Sequence, residues 1–356
     1  MIKNRDLKYI FVHGLSGWGY YDKTNEIMPY WGMRNGDLMK QLREIGYECY
    51  CASVSPQGSA YDRACELYAQ LYGKVTDYGE VHSRKYNHER FGPDFTGRAL
   101  IPALKEGEKL VFLGHSFGGA TIRIFAHIME HGIIEEQSEG ASDFFNGGKK
   151  DQIYALVALA APHNGTTAYD MYEDPDFDPE KIQGNMIENM AAHAMDYADK
   201  PKVEIMYEDS AAYDMHIDNA LELNKKLPLC KDIYYFSQPC SSTEKREDGN
   251  YYPLSGKTEL IYTRTARRIG AYKGKTKGGF IIDESWGQSD GLVNTISATY
   301  PLSDPHKQFD ENDIQKGIWN VFETYQGDHM SLQGGMMIKN EIFSYYRKLL
   351  DMIDGL

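Results

Sequence analysis

The chain has 356 residues, 42% of them hydrophobic and 25% charged, which excludes a disordered chain and leaves enough apolar side chain for a large core. Its 38 Lys and Arg stand against 52 Asp and Glu, a net charge of -14 that argues against gripping phosphate backbones, so no nucleic acid partner is expected. No apolar run approaches the about 20 residues a helix needs to cross a bilayer, so no integral membrane segment is expected.

Residues 1–8 are mostly polar and charged, and the first apolar stretch, 9–12, is shorter than the core of an export signal. As written the chain reads as cytoplasmic, or as secreted if a leader once preceded it. Strand-like and helix-like segments then alternate: 8–13, 36–45, 47–54 and 62–71. That order predicts an α/β fold with a mostly parallel sheet covered by helices on both faces. Residues 109–114 read as a buried strand, followed by a helix over 120–131 with apolar Ile122, Ile124, Phe125 and Ile128 and a closing Gly132. Further strands are predicted at 153–159, 233–236 and 279–282. The absence of repeats and of low-complexity tracts favours a single domain, 1–356, and nothing speaks to oligomeric state. The five cysteines, Cys49, Cys51, Cys65, Cys230 and Cys240, form no CxxC pair and lean towards a reducing compartment.

Two long insertions interrupt this pattern. The first, 55–97, holds histidines and tyrosines with little strand character. The second, 166–228, is far longer than the 2 to 6 residues usual between such elements. Ile182, Met186, Met190, Ala194 and Met195 fall on one helical face within it, either an ordinary core-facing helix or an adaptable surface for apolar ligands.

Gly114-His115-Ser116-Phe117-Gly118 is a GxSxG between a strand and a helix, where the turn is tight enough to demand glycine on both sides of the serine. Ser116 is the expected nucleophile, with the Phe117 N–H as an oxyanion donor at the helix start. A serine hydroxyl needs a base, and the hydrolase order is Ser, acid, His. Asp290 and His329 are the best placed, with Asp283, Asp328 and His163 as weaker competitors. The N–H of Leu15, after His13-Gly14, is the natural second oxyanion donor.

At this point the chain resembles the zinc-containing thermoalkalophilic bacterial lipases, relatives of the staphylococcal lipases. The resemblance rests on His13-Gly14, Gly17-Trp18-Gly19, Tyr30-Trp31-Gly32, the run Asp62-Arg63-Ala64-Cys65-Glu66, and Asp77-Tyr78-Gly79. It continues through Ala161-Pro162-His163, Asp290-Gly291, Gly317-Ile318-Trp319-Asn320 and Asp328-His329. It implies an α/β-hydrolase fold, a catalytic triad of Ser116, Asp290 and His329, and a helical lid within 166–228. It also implies a zinc ion held by Asp62, His82, His88 and Asp209, tying the 55–97 insertion to the lid. Two carboxylates and two imidazoles would close a tetrahedral zinc, making it structural and not catalytic. The family's calcium ligands include a glycine carbonyl, matched by Gly256, and two acids, which are Ser331 and Met336 here. Without those carboxylates no calcium is expected. Asn164 and Phe117 also replace the family's usual Asp and Gln, and the lid is shorter, so long-chain triacylglycerol is not the assured substrate.

The resulting expectation is a carboxylic-ester hydrolase acting on a small-molecule or lipid ester. A thioesterase, lactonase or amidase on the same triad, or a non-catalytic binding protein, remain open alternatives. Six basic residues, Arg264, Arg267, Arg268, Lys273, Lys275 and Lys277, follow one another with no acid between. They are either a solvated surface or a cleft mouth that favours anionic esters.

Overall fold

Seven parallel strands form the central sheet of the computed structural model, which describes residues 6–178 and 205–356. They are β1 (Leu7–Val12), β2 (Glu48–Ala52), β3 (Lys109–His115), β4 (Ile153–Leu159), β5 (Tyr234–Gln238), β6 (His306–Gln308) and β7 (Trp319–Val321). Their order is β6-β7-β5-β4-β3-β1-β2, with every pairing parallel. Strands buried on both faces need apolar side chains at consecutive positions, and β4, with the sequence IYALVAL, is buried at six of its seven.

Each face of the sheet has its own core. Ile10, Val12, Phe112 and Leu156 pack under α2 (Ala60–Tyr72) and α4 (Gly118–His131). Tyr9, Phe11, Leu113 and Val157 point the other way, under α1 (Leu38–Glu44) and α6 (Phe343–Asp354). The period of two along each strand sends alternate residues to opposite layers. Gly132 closes α4 with a positive φ of 69° and its N–H on the Ile128 carbonyl, as its position predicts.

The chain runs from β1 outward to β2 and then returns to place β3 on the other side of β1. The carboxyl ends of β1 and β3 therefore flank the point where strand order reverses, the usual site of a crevice in open α/β sheets.

Three expectations need correction. Residues 279–282 add no strand to the central sheet: Ile281–Ile282 pairs only with Gly274–Lys275, in a separate antiparallel ribbon. The sheet is completed instead by β6 and β7, whose three-residue lengths leave no periodicity to detect. The 55–97 insertion does contain strands, since Val75–Asp77 pairs antiparallel with Phe91–Asp94 around α3 (Glu80–Tyr86). The described part of the second insertion carries α5 (Ile217–Lys226), while the helix expected over 182–195 lies outside the described residues.

Candidate active site

Ser116 sits between the last residue of β3 and the first turn of α4 with φ of +54°, a left-handed conformation rare for a residue with a side chain. The neighbouring glycines make this turn sterically possible. A Cβ on Gly114 would lie 2.5 Å from the Gly118 carbonyl oxygen, and one on Gly118 would lie 2.4 Å from that of Val12. The turn after β1 comes equally close: a Cβ on Gly14 would be 2.7 Å from Cβ of Ser116. Glycine at 14 thus lets the His13-Gly14-Leu15 backbone run directly beside the serine.

His329 follows β7, and its ring is held from two sides. Its Nδ1 is 2.8 Å from Oδ2 of Asp290, and its backbone N–H donates to the Asp290 carbonyl at 2.9 Å. The other oxygen, Oδ1 of Asp290, accepts from the N–H groups of Leu292 (3.0 Å) and Val293 (2.8 Å). Asp290 and His329 are both buried. A carboxylate oxygen accepting at Nδ1 fixes the proton there and leaves Nε2 as the basic nitrogen.

The competing residues are occupied elsewhere. Asp328 turns from the His329 ring: Oδ1 accepts from the Met330 N–H and the Ser331 hydroxyl, and Oδ2 accepts from the Glu259 N–H. Burial raises Asp328 to about 6. Asp283 caps an exposed turn through the N–H and hydroxyl of Ser285. The buried ring of His163 packs edge-on against Trp319, centroids 4.6 Å apart.

A buried chain of hydrogen bonds joins the Gly14 turn to the histidine. The Gly14 N–H donates to the Tyr30 hydroxyl (2.9 Å), which lies 2.8 Å from Nδ1 of His115. Nε2 of His115 is 2.8 Å from the His329 carbonyl oxygen. Since an N–H can only donate and a carbonyl only accept, the Tyr30 proton points at His115 and the His115 proton is on Nε2. Burial, and the nearby His329, hold His115 well below the ordinary histidine range and therefore neutral. Sequence reasoning did not assign roles to Tyr30 or His115; the only available signal was a histidine beside the serine at the end of a buried strand.

Ser116 and His329 open onto one cavity of about 290 Å3, lined also by Leu15, Trp18, Met33, Ile261, Leu292 and Met336. The second insertion supplies Thr166, Tyr169, Tyr172 and Met215 to it. The described lining contains no Lys, Arg, Asp or Glu, and none of the six basic residues reaches it. Arg268 is buried with its guanidinium against Tyr172, and Lys277 pairs with Glu173 at 3.0 Å.

Asp62, His82, His88 and Asp209 converge from four segments, their ligand atoms all within 4.8 Å of one another. Ser59 caps α2 by accepting the Asp62 N–H, which sets the turn that carries this carboxylate. Nε2 of His82 lies 3.0 Å from Asp62 and 3.3 Å from Asp209, and Nε2 of His88 lies 3.3 Å from Asp209. Nδ1 of His88 is 2.8 Å from the Glu89 carbonyl, so its proton is there and Nε2 presents a lone pair to the cluster. That buried Nε2 has no hydrogen-bond partner among the described residues. A lone pair facing carboxylates is unfavourable unless a cation lies between them, so these residues fit a metal. The two insertions meet here through their backbones, with Ser59 N–H on the Asp209 carbonyl and Ala211 N–H on that of Gln57.

A second group, Asp170, Glu173 and His216, also lies within ligand reach. Its atoms have partners already: Ile217 N–H on Asp170, the Tyr207 hydroxyl at Nε2 of His216, and Lys277 on Glu173.

Arg63, next to Asp62 on α2, is fully buried and remains charged although burial lowers it to about 10. Its guanidinium donates to the carbonyls of His13, Gly14 and Ser55 and to the Thr121 hydroxyl. One side chain thus fastens the turn beside Ser116 to the helix that carries Asp62.

A family model described as a lipase-like C-terminal domain matches residues 4–183 and 192–352. A lipase of Staphylococcus epidermidis is 32% identical over 93% of this chain and 50% of its own length, and the Staphylococcus hyicus lipase is 30% identical over 99% and 58%. The chain therefore spans about half the length of the curated relatives it matches. Among solved structures, EstA from Clostridium botulinum aligns with a TM-score of 0.84 at 28% identity, covering 100% of this chain and 88% of that one. The Staphylococcus hyicus lipase aligns with a TM-score of 0.80 at 29% identity, covering 99% and 96%. With its parallel sheet and helical layers this is an α/β-hydrolase fold, and the chain belongs to the lipase-like C-terminal domain family of the staphylococcal lipases.

Proposed function

We propose that this chain is a carboxylic-ester hydrolase acting through an acyl-enzyme on Ser116. The observation that carries this reading is the left-handed Ser116 sharing a cavity with His329, whose Nδ1 is fixed by Asp290. Oγ of Ser116 attacks the ester carbonyl carbon as Nε2 of His329 takes its proton. The N–H groups of Leu15 and Phe117 stabilise the oxyanion of the tetrahedral intermediate. His329 then protonates the departing alkoxide, and a water molecule, deprotonated by His329 in turn, releases the acid and restores Ser116. Asp290 holds the imidazole in orientation and stabilises its cationic form.

The uncharged lining supports a neutral ester with an apolar acyl chain over an anionic one. Tyr172 and Met215 support a role for the 166–228 insertion as a cap over the cavity, within a single 1–356 domain. Asp62, His82, His88 and Asp209 would hold zinc, which when bound would supply a closed structural cross-link with no position left for a reacting water. Gly256, Ser331 and Met336 bring no carboxylate of their own to a calcium ion, so calcium remains unexpected.

The test is hydrolysis of p-nitrophenyl butyrate by the parent and by Ser116→Ala. Loss of at least about 10^4 in kcat with an unchanged unfolding temperature supports the reading, and retained turnover removes it.

A further inference from the structure

Glu259 stands outside every role assigned so far, yet it is 1% exposed and its carboxylate is gripped in an unusual way. A single oxygen, Oε1, accepts three consecutive backbone N–H groups, from Met336 (2.7 Å), Met337 (2.6 Å) and Ile338 (2.8 Å). The turn that converges these donors depends on glycine: Gly334 and Gly335 have φ of 112° and 75°. A Cβ on Gly335 would lie 1.8 Å from the Ile338 carbonyl oxygen. Successive N–H groups in such a turn form a concave site for an anion, and here the anion is a side chain of the same protein.

Glu259 reaches the cavity in two directions. Its own backbone begins the turn Leu260–Tyr262, which places Ile261 and Tyr262 in the cavity wall. Its N–H donates to Asp328, the neighbour of His329, at 2.6 Å. The segment it grips ends the stretch that brings Met330, Gln333 and Met336 to the same lining, where Met330 packs in one cluster with Tyr262. We propose that Glu259 is a positioning residue that locks these two stretches of the lining together, and so sets which acyl chain lengths the cavity accepts. The proposal rests on the hydrolase reading above for its substrate, but the clamp itself is independent of that reading.

The test compares the parent, Glu259→Ala and Glu259→Gln on p-nitrophenyl acetate, butyrate and octanoate. Active sites are counted by titration with a p-nitrophenyl phosphonate, so a smaller folded fraction does not pass for altered selectivity. In Glu259→Ala, kcat/KM for octanoate should fall by about tenfold or more while that for acetate changes less than about threefold, because a two-carbon acyl group fills little of the cavity and depends less on its lining. Glu259→Gln keeps an accepting carbonyl oxygen and should recover most of the octanoate loss. An unchanged profile, or equal losses at every chain length, would overturn the proposal. Hydrogen exchange on the parent gives a readout that does not depend on recovering a folded variant. The amides of Met336, Met337 and Ile338 should exchange at least about a hundredfold more slowly than in an unstructured peptide, and free exchange overturns the clamp. Failure of the phosphonate to titrate the parent would instead count against the hydrolase reading and leave the exchange result to judge Glu259.

Discussion

The turn at Ser116 and the cluster at Asp62 are joined by one helix and its arginine, yet they are assembled by different means. Five consecutive residues, 114–118, make the turn, and backbone sterics at Gly114 and Gly118 fix it. The cluster draws single side chains from α2, α3, the residue stretch after α3 and the 209 segment, and its buried His88 nitrogen has no hydrogen-bond partner among the described residues. A site of the first kind is held by the fold whether or not anything binds there. A site of the second kind holds parts of the fold together only when its charge is balanced. Damage to the first should therefore remove chemistry and spare stability, and damage to the second should do the reverse.

The largest expected effect tests the first half of that contrast. His329→Ala should lower kcat by about 10^4 to 10^6, and Asp290→Asn by about 10^3 to 10^4, each with an unfolding temperature within about 3 °C of the parent. A comparable loss of stability would merge the two kinds of site. For the second half, elemental analysis of the parent should find about one zinc per chain, and Asp62→Ala and His88→Ala should abolish it. Their unfolding temperature should drop by about 10 °C or more, while kcat per titrated active site at 25 °C changes less than about tenfold. Variants that keep both metal and melting temperature would refute the cluster as a metal clamp.

Arg63 sharpens the comparison because it touches both sides. Arg63→Lys keeps the charge but cannot reach the His13, Gly14, Ser55 and Thr121 oxygens at once. Its kcat should fall about tenfold with zinc content unchanged, and a loss of zinc without a loss of kcat would reverse the assigned direction of coupling.

A pH dependence is expected at Glu66, whose carboxylate accepts from the Ser55 N–H and the Tyr78 hydroxyl. Burial raises Glu66 from its ordinary 4.5 to about 7. The folded state thus binds this proton more tightly than the unfolded one, so the contribution is complete below about pH 4.5 and lost as pH rises through about 7. The stability of the parent minus that of Glu66→Gln should decline over this interval by up to about 3 kcal/mol, measured by denaturant titration at pH 5 and pH 8. A constant difference would mean that Glu66 titrates normally.

What could be read from the sequence follows the same division. β4 was legible to the residue and β3 to within one, because a strand buried on both faces writes its extent as an unbroken apolar run. β6 and β7 were not, since three residues held mainly by their neighbours carry no period of their own. The turn at Ser116 was legible because its geometry is local. Asp290 is not delivered by a strand of the central sheet, since Ile281–Ile282 before it belongs to a separate ribbon, and its loop is held instead by the amides of Leu292 and Val293 and by the backbone of His329. Tyr30, His115, Arg63 and Glu259 act through contacts between distant segments, which spacing along a single chain does not encode.

The central claim, that Ser116 is a nucleophile activated by His329 and Asp290, is tested most directly by covalent labelling. Parent protein treated with a p-nitrophenyl phosphonate should gain the mass of one phosphonyl group, located by peptide mapping on Ser116, with release of one equivalent of p-nitrophenol. Ser116→Ala should gain none, and His329→Ala should react at least about a thousandfold more slowly. A label that maps to another residue, or that forms equally fast without His329, would contradict the account.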